Sequence, residues 1–168
     1  WLTTTAPITT HYENGTGILT VVRDVAQLRF TERWFAPMGI PAATVIGMIT
    51  VKNLGMVDTG PLKLFSLHNF HVGPTTPEAN SDNETITRDA TSGALIETAG
   101  NRMAIVLPLA SPARFQASPP NPYATMPATS ELSNTVGAGP QSDAISAFEW
   151  TRAEGLAPGA EWSVGIVL

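Results

Sequence analysis

The sequence contains no cysteine. Disulfides, thiolate metal sites and a cysteine nucleophile are therefore excluded. Charge is also sparse, at 14% of residues, against roughly 25% in an ordinary soluble domain. The polar surface must then be built from Thr, Ser, Asn and Gly, a composition that favours β-structure and is common outside the cell. Basic charge is the scarcest. Nine Lys and Arg stand against fourteen Asp and Glu, for a net charge of -5. Only Lys52 and Lys63 are lysines. Neutralising a phosphate backbone takes clustered cations, so this balance argues against a nucleic-acid partner. No apolar run approaches the roughly 18 residues that span a membrane as a helix. No signal-peptide pattern is present either. The chain begins at Trp1 rather than Met, which points to a processed product or a segment of a longer precursor.

Strongly periodic helical stretches are missing too. In their place are 14 Pro and 14 Gly spread over the whole length. Turn signals recur at Asn14-Gly15, Met38-Gly39-Ile40-Pro41, Asn53-Leu54-Gly55, Thr59-Gly60-Pro61, Ser92-Gly93, Gly100-Asn101 and Ala157-Pro158-Gly159. Short runs between such signals mark an all-β sandwich or barrel. A chain of 168 residues fits one domain and can bury a core without staples. The expected architecture is an all-β, two-layer antiparallel β-sandwich spanning 1–168 as one domain.

The strands expected are Ile8 to Tyr12, Ile18 to Arg23, Gln27 to Phe35, Ala42 to Lys52, Leu62 to Val72, Thr85 to Arg88, Ala94 to Thr98, Met103 to Leu109, Ala144 to Trp150 and Trp162 to Leu168. In the third, Leu28, Phe30 and Trp34 share a face by period two. Glu32 falls on that apolar face and needs a rim position or an arginine. The fourth carries bulky residues on both faces and reads as a central strand covered twice. With the fifth it forms the expected central pair. Two long loops interrupt the strands. Gly73 to Ser92 is polar, and Ser111 to Gly139 is rich in proline, with Phe115 and Pro122-Tyr123 as anchors. A loop of that length is typically a functional arm, a covering segment or a partly disordered stretch.

Few residues offer chemistry. His68 and His71 are three apart, which on a strand sends them to opposite faces and disfavours a shared zinc. Local hydrogen bonding with Asn69 is the expected role. Glu78, Asp82, Glu84 and Asp89 are hard oxygen donors that suit calcium. Their spacing is not that of an EF-hand, and Arg88 competes, so a solvated loop is the simpler reading. A glycosidase needs two facing carboxylates. Glu149 and Glu161 stand beside aromatics, but strand parity places both on the wet face. Nucleophile-elbow, P-loop and dinucleotide motifs do not occur. No catalytic, cofactor-binding or metal-binding residue is assigned. Asn14-Gly15-Thr16 and Asn83-Glu84-Thr85 match the N-glycosylation pattern. Trp1, Trp34, Trp150 and Trp162 could stack on sugars or pack in the core, and the core is favoured for Trp34 and Trp162.

Several phrases combine into a resemblance. They are Gly17-Ile18-Leu19-Thr20-Val21, Arg29-Phe30-Thr31-Glu32-Arg33-Trp34-Phe35-Ala36-Pro37, Ile49-Thr50-Val51-Lys52-Asn53, Phe65 to Gly73, and Leu156-Ala157-Pro158-Gly159-Ala160-Glu161-Trp162. Their order resembles the β-sandwich domain that precedes the catalytic barrel in bacterial glucoamylase-like proteins of glycoside hydrolase family 15. The resemblance implies an antiparallel sandwich with no catalytic role of its own. No stretch here is similar to the helical barrel, so the family's activity is not carried over. That family's domain is usually longer, and a shortened sandwich leaves strand edges open to another chain.

The function expected is a non-catalytic structural or interaction module, extracellular or at the cell surface, and not an enzyme. It would form a homo-oligomer, or bind a partner protein chain, through strand edges near Trp1 to Thr10 and the loop Ser111 to Gly139. The alternative is a carbohydrate-binding accessory domain of a glycoside hydrolase. No cofactor and no membrane span are expected.

Overall fold

A computed structural model describes residues 5–39, 43–70, 72, 84–118, 130–139 and 145–168. Among these residues there is no helix, and the fold is all-β. The chain divides into two compact units, Trp1–Leu62 with Arg152–Leu168, and Lys63–Thr151.

The first unit holds β1 (Thr9–Glu13), β2 (Ile18–Val25), β3 (Leu28–Phe35), β4 (Ile46–Asn53) and β12 (Glu161–Val167). They hydrogen-bond in the order β1-β2-β3-β4-β12, and every pairing is antiparallel. The registers sort the side chains into an apolar and a polar face. Val21, Glu32 and Ile49 lie opposite one another, as do Phe30, Val51 and Trp162. Leu28, Phe30 and Trp34 thus share the apolar face, as their spacing predicts. The other face carries Thr50 bonded to Ser163 at 2.8 Å, Lys52 to Glu161 at 3.0 Å, and Arg29 to Asp24 at 2.9 Å. Glu32 meets its expected arginine. It accepts from Arg23 and, at 3.4 Å, from Trp34 Nε1.

β4 is central in this sheet, yet it is not covered twice: Met48 on the polar face is 46% exposed. Gly47 explains the packing of its other face. The Trp34 ring lies where a Cβ at 47 would sit, 2.3 Å from Cζ3. A glycine here creates the seat for an indole.

The second unit holds β5 (Leu62–His68), β6 (Thr85–Arg88), β7 (Leu95–Ala99), β8 (Arg102–Pro108), β9 (Arg114–Ser118), β10 (Thr135–Val136) and β11 (Ile145–Arg152). One layer is β8-β7-β6 and the other β10-β9-β11-β5. The layers pack face to face. Ile86 of β6 meets Ala117 of β9 and Val136 of β10. The Arg88 guanidinium lies 4.4 Å from the centre of the Phe115 ring. Ser146 of β11 donates to Glu97 of β7 at 2.5 Å. This is a two-layer β-sandwich.

Two expectations are corrected here. β5 does not pair with β4. It pairs with β11 at the end of its sheet's order, so the expected central pair falls into two separate units. The stretch Ser111 to Gly139 is not one long loop, because β9 and β10 lie inside it. Short polar strands such as Arg114–Ser118 give too little alternation to stand out beside prolines. The sandwich is antiparallel as expected, save for the two-residue β10, which pairs β9 in parallel, Thr135 against Gln116. Pro122-Tyr123 lies outside the described residues.

Candidate functional site

His68 ends β5 on the face that also carries Leu64 and Ser66, both buried. Its Nε2 is 2.6 Å from Ser66 Oγ, and its ring stacks on Phe70 at 6.0 Å and 8°. Burial pushes the imidazole pKa down from 6.5 to about 4, because desolvation disfavours the charged ring. The pair is local, as the sequence predicts for His68. The hydroxyl of the buried Ser66 is thus paired with a ring nitrogen of His68. His71 lies outside the described residues.

Beyond His68 the chain is held by a carboxylate. Val72 N–H donates to Glu84 Oε1 at 2.8 Å, a contact buried inside the second unit. Glu84 sits just before β6, opposite Ala99 by extension of the Ile86↔Glu97 register, so Glu84 and Glu97 share one face as diagonal neighbours. Both are fully buried. Asp89 has a different task. It accepts from Thr91 N at 3.2 Å, from Ser92 N at 3.0 Å and from Ser92 Oγ, closing the β6–β7 turn. Those bonds, led by the Ser92 hydroxyl, hold its carboxyl below the usual range. Two members of the candidate calcium loop thus serve separate structural contacts. Glu78 and Asp82 lie outside the described residues.

Glu149 departs most from the sequence reading. It is 1% exposed rather than on a wet face. β11 is buried on both sides from Ile145 to Trp150, so alternation carries no information there. Glu149 Oε2 accepts Leu132 N–H at 2.9 Å, and Oε1 lies 3.4 Å from Lys63 Nζ. Lys63 also donates to Ser130 O at 3.1 Å, and Arg114 reaches Glu131 at 2.7 Å. Leu132 inserts against Ile145, Ala147, Phe65 and Leu67. The proline-rich stretch is stitched to the sheet here by a buried acid and two cations. Glu161, by contrast, is exposed, as its parity predicts, and it pairs with Lys52 at the surface.

The tryptophans are structural in their contacts. Trp150 is buried and donates Nε1–H to Ala110 O at 2.9 Å. Trp34 covers Gly47, and Trp162 faces Val51 across β12 and β4. Trp1 lies outside the described residues.

Two exposed features of the first unit remain. Asn53 is fully buried and bonds Val57 O at 2.7 Å, Leu156 O at 2.8 Å and Gly55 N at 2.8 Å. This cage fixes a loop that presents Leu54, Met56 and Val57 to solvent, with Met56 91% exposed. Leu54 N–H donates to Gln27 O at 2.7 Å, tying this loop to the turn after β2, whose last residue, Val25, is exposed as well.

The second feature is β1. It ends the sheet's order, and all five of its residues are exposed. Five consecutive register pairs with β2 leave no bulge. The sequence Thr9-Thr10-His11-Tyr12-Glu13 has no proline and no lysine. Proline, lysine and bulges are among the devices that blunt natural edges; in β1 these three are missing, and Glu13 at its end is its one acidic residue. Tyr12, 59% exposed, and Ile8 continue the apolar face to the edge. No protein-family model matches the chain, and no curated protein is detectably similar to it.

Proposed function

We propose that the protein is a non-catalytic interaction module, exported from the cell, that assembles by adding a strand to β1. The observation that carries this reading is an edge strand without proline, lysine or bulge, exposed at every residue. On its outer side no described strand pairs with it, and such main-chain groups supply affinity in strand addition while alternate side chains supply specificity. The occupant is a second copy of the chain. Tyr12 and Thr10 lie on one side of β1, His11 and Glu13 on the other, so a partner strand extends the apolar face through Tyr12. The caged loop Leu54 to Val57 adds a second apolar contact.

A non-catalytic role is supported by where the ionisable groups are spent. His68 bonds Ser66, Glu84 bonds Val72, Glu97 bonds Ser146, and Glu149 bonds Leu132. It also agrees with the resemblance to the domain preceding a glucoamylase-like barrel. A carbohydrate-binding role has less support, because Trp34 and Trp150 are occupied by Gly47 and Ala110.

Sedimentation across a wide concentration range tests the proposal. Reversible association is expected, and Tyr12→Lys is expected to abolish it while leaving the fold intact, since Lys is a natural edge blocker. A strict monomer at the highest attainable concentration, unchanged by Tyr12→Lys, overturns it.

A further inference from the structure

The turn between β1 and β2 carries chemistry of its own. Asn14 is the one asparagine in the chain that precedes a glycine. Both residues are exposed at the tip of the hairpin. Gly15 has φ +106°, and a Cβ built there would meet nothing within 4 Å. Only glycine adopts such a backbone readily. The turn is closed by Gly17 N–H donating to Glu13 O at 3.0 Å and by Thr16 Oγ1 donating to Glu13 Oε2 at 2.6 Å. Neither contact uses the Gly15 nitrogen or the Asn14 amide.

We infer that Asn14 is a site of intrinsic deamidation. The backbone nitrogen of Gly15 attacks the side-chain carbonyl carbon of Asn14. A carbon–nitrogen bond forms, the bond to Nδ2 breaks, and the displaced nitrogen leaves as ammonia carrying the proton from the Gly15 amide. The product is a five-membered imide. Water then adds to either imide carbonyl and breaks its bond to nitrogen. The result is an aspartate or an isoaspartate at position 14, with no oxidant or enzyme required. Asparagine is among the thermally labile residues for such reasons. The lack of a side chain at 15 removes the steric barrier to ring closure.

The product places a new negative charge beside Glu13, at the end of the edge strand. Charge at an edge opposes strand addition, and a second carboxylate next to Glu13 adds to the single one already at this end. Resting on the strand-addition reading, deamidation therefore weakens assembly as the protein ages.

Peptide mapping of the intact protein, aged at mildly alkaline pH, tests the site. The peptide containing Asn14 is expected to gain one mass unit and to become a substrate for isoaspartate methyltransferase. The peptides containing Asn101 and Asn134 are expected to stay unchanged, and Asn14→Ser to abolish the gain. No gain at Asn14, or a gain no faster than at Asn101, overturns the inference. Sedimentation of fresh and aged protein reads the consequence separately. Association lost on ageing in the wild type but kept in Asn14→Ser supports it. Modification with unchanged association overturns the consequence and leaves the site standing. Protein that never associates, yet gains the mass, counts against strand addition alone.

Discussion

Asn53 and Leu156 stand 103 residues apart in the chain and are joined by a 2.8 Å hydrogen bond, both fully buried. The asparagine amide donates to the Leu156 carbonyl and to Val57 O, while its oxygen accepts Gly55 N–H. Backbone bonds from Asn53 N to Ala160 O and from Gly159 N to Asn53 O flank it. One side chain therefore satisfies three main-chain groups from two distant turns. Asn53→Leu strips those partners at once. Leaving a buried polar group unsatisfied costs about 1–3 kcal/mol. Partial rehydration of the turn limits the sum, so the expected loss is on the order of 3 kcal/mol. Denaturant unfolding of the variant measures it.

The glycines near this cage separate two costs. At Gly155 a Cβ would stand 2.2 Å from the Gly60 carbonyl oxygen, and φ is +68°. At Gly159 φ is +76° and the space is open. Gly159→Ala should lose only the left-handed backbone term, about 1–2 kcal/mol. Gly155→Ala must also push two backbone segments apart, and it should cost clearly more, on the order of 3–4 kcal/mol including overpacking. Urea midpoints of the two variants give the comparison. Equal midpoints would show that the turns slide freely.

Much of the fold was legible because alternation reports burial when only one face is covered. Gln27 to Phe35 is such a case, and of the two fates open to the misfit Glu32, a rim position or an arginine, the structure shows the arginine. The hairpin at Gly100-Asn101 was legible from its turn residues. Three features were hidden for physical reasons. β11 is buried on both faces, so Glu149 looked solvated by parity. β9 is short and polar and sits between prolines. The β2–β3 turn places Ala26 at φ 53°, where no Gly or Asn marks the bend. The pairing of β5 with β11 is a long-range choice that two neighbouring apolar runs do not encode. The candidate edge was half legible. A terminal strand is expected to be open, but only the register shows that no bulge interrupts it.

The two lysines offer a contrast in what an ion pair is worth. Lys52 and Glu161 are 41% and 53% exposed, and exposed pairs contribute about 0–1 kcal/mol. Lys63 is 23% exposed, but its partner Glu149 is 1% exposed. Removing one member of a buried pair costs about 3–5 kcal/mol, since the other charge is left without compensation. Glu149 retains the Leu132 N–H bond, and Lys63 is partly solvated. The expected cost of Lys63→Met is therefore on the order of 2–3 kcal/mol. Lys52→Met should stay within about 0.5 kcal/mol of wild type. Thermal melts at low and high salt distinguish them. Salt should erode only the Lys52 effect, because buried pairs are screened less.

His68 sets a pH dependence whose sign follows from its burial. Its pKa is about 4 in the folded protein against 6.5 as the ordinary value. Between those values the unfolded chain binds a proton at this position and the folded chain does not. Stability rises with pH wherever the unfolded state holds more protons. The contribution of His68 is therefore fully present above pH 6.5 and is lost as pH falls towards 4. At 1.36 kcal/mol per unit, the difference amounts to about 3 kcal/mol over that window. Carboxylates titrate mostly at the lower end, so the cleanest region is its upper half. His68→Gln keeps a hydrogen-bonding side chain for Ser66 Oγ but cannot charge. Chemical unfolding of the wild type from neutral to mildly acid pH should show a steady loss of stability, and His68→Gln should flatten it. A wild type with no slope there would mean that water reaches the ring when it protonates, and that Ser66 and Phe70 do not seal it.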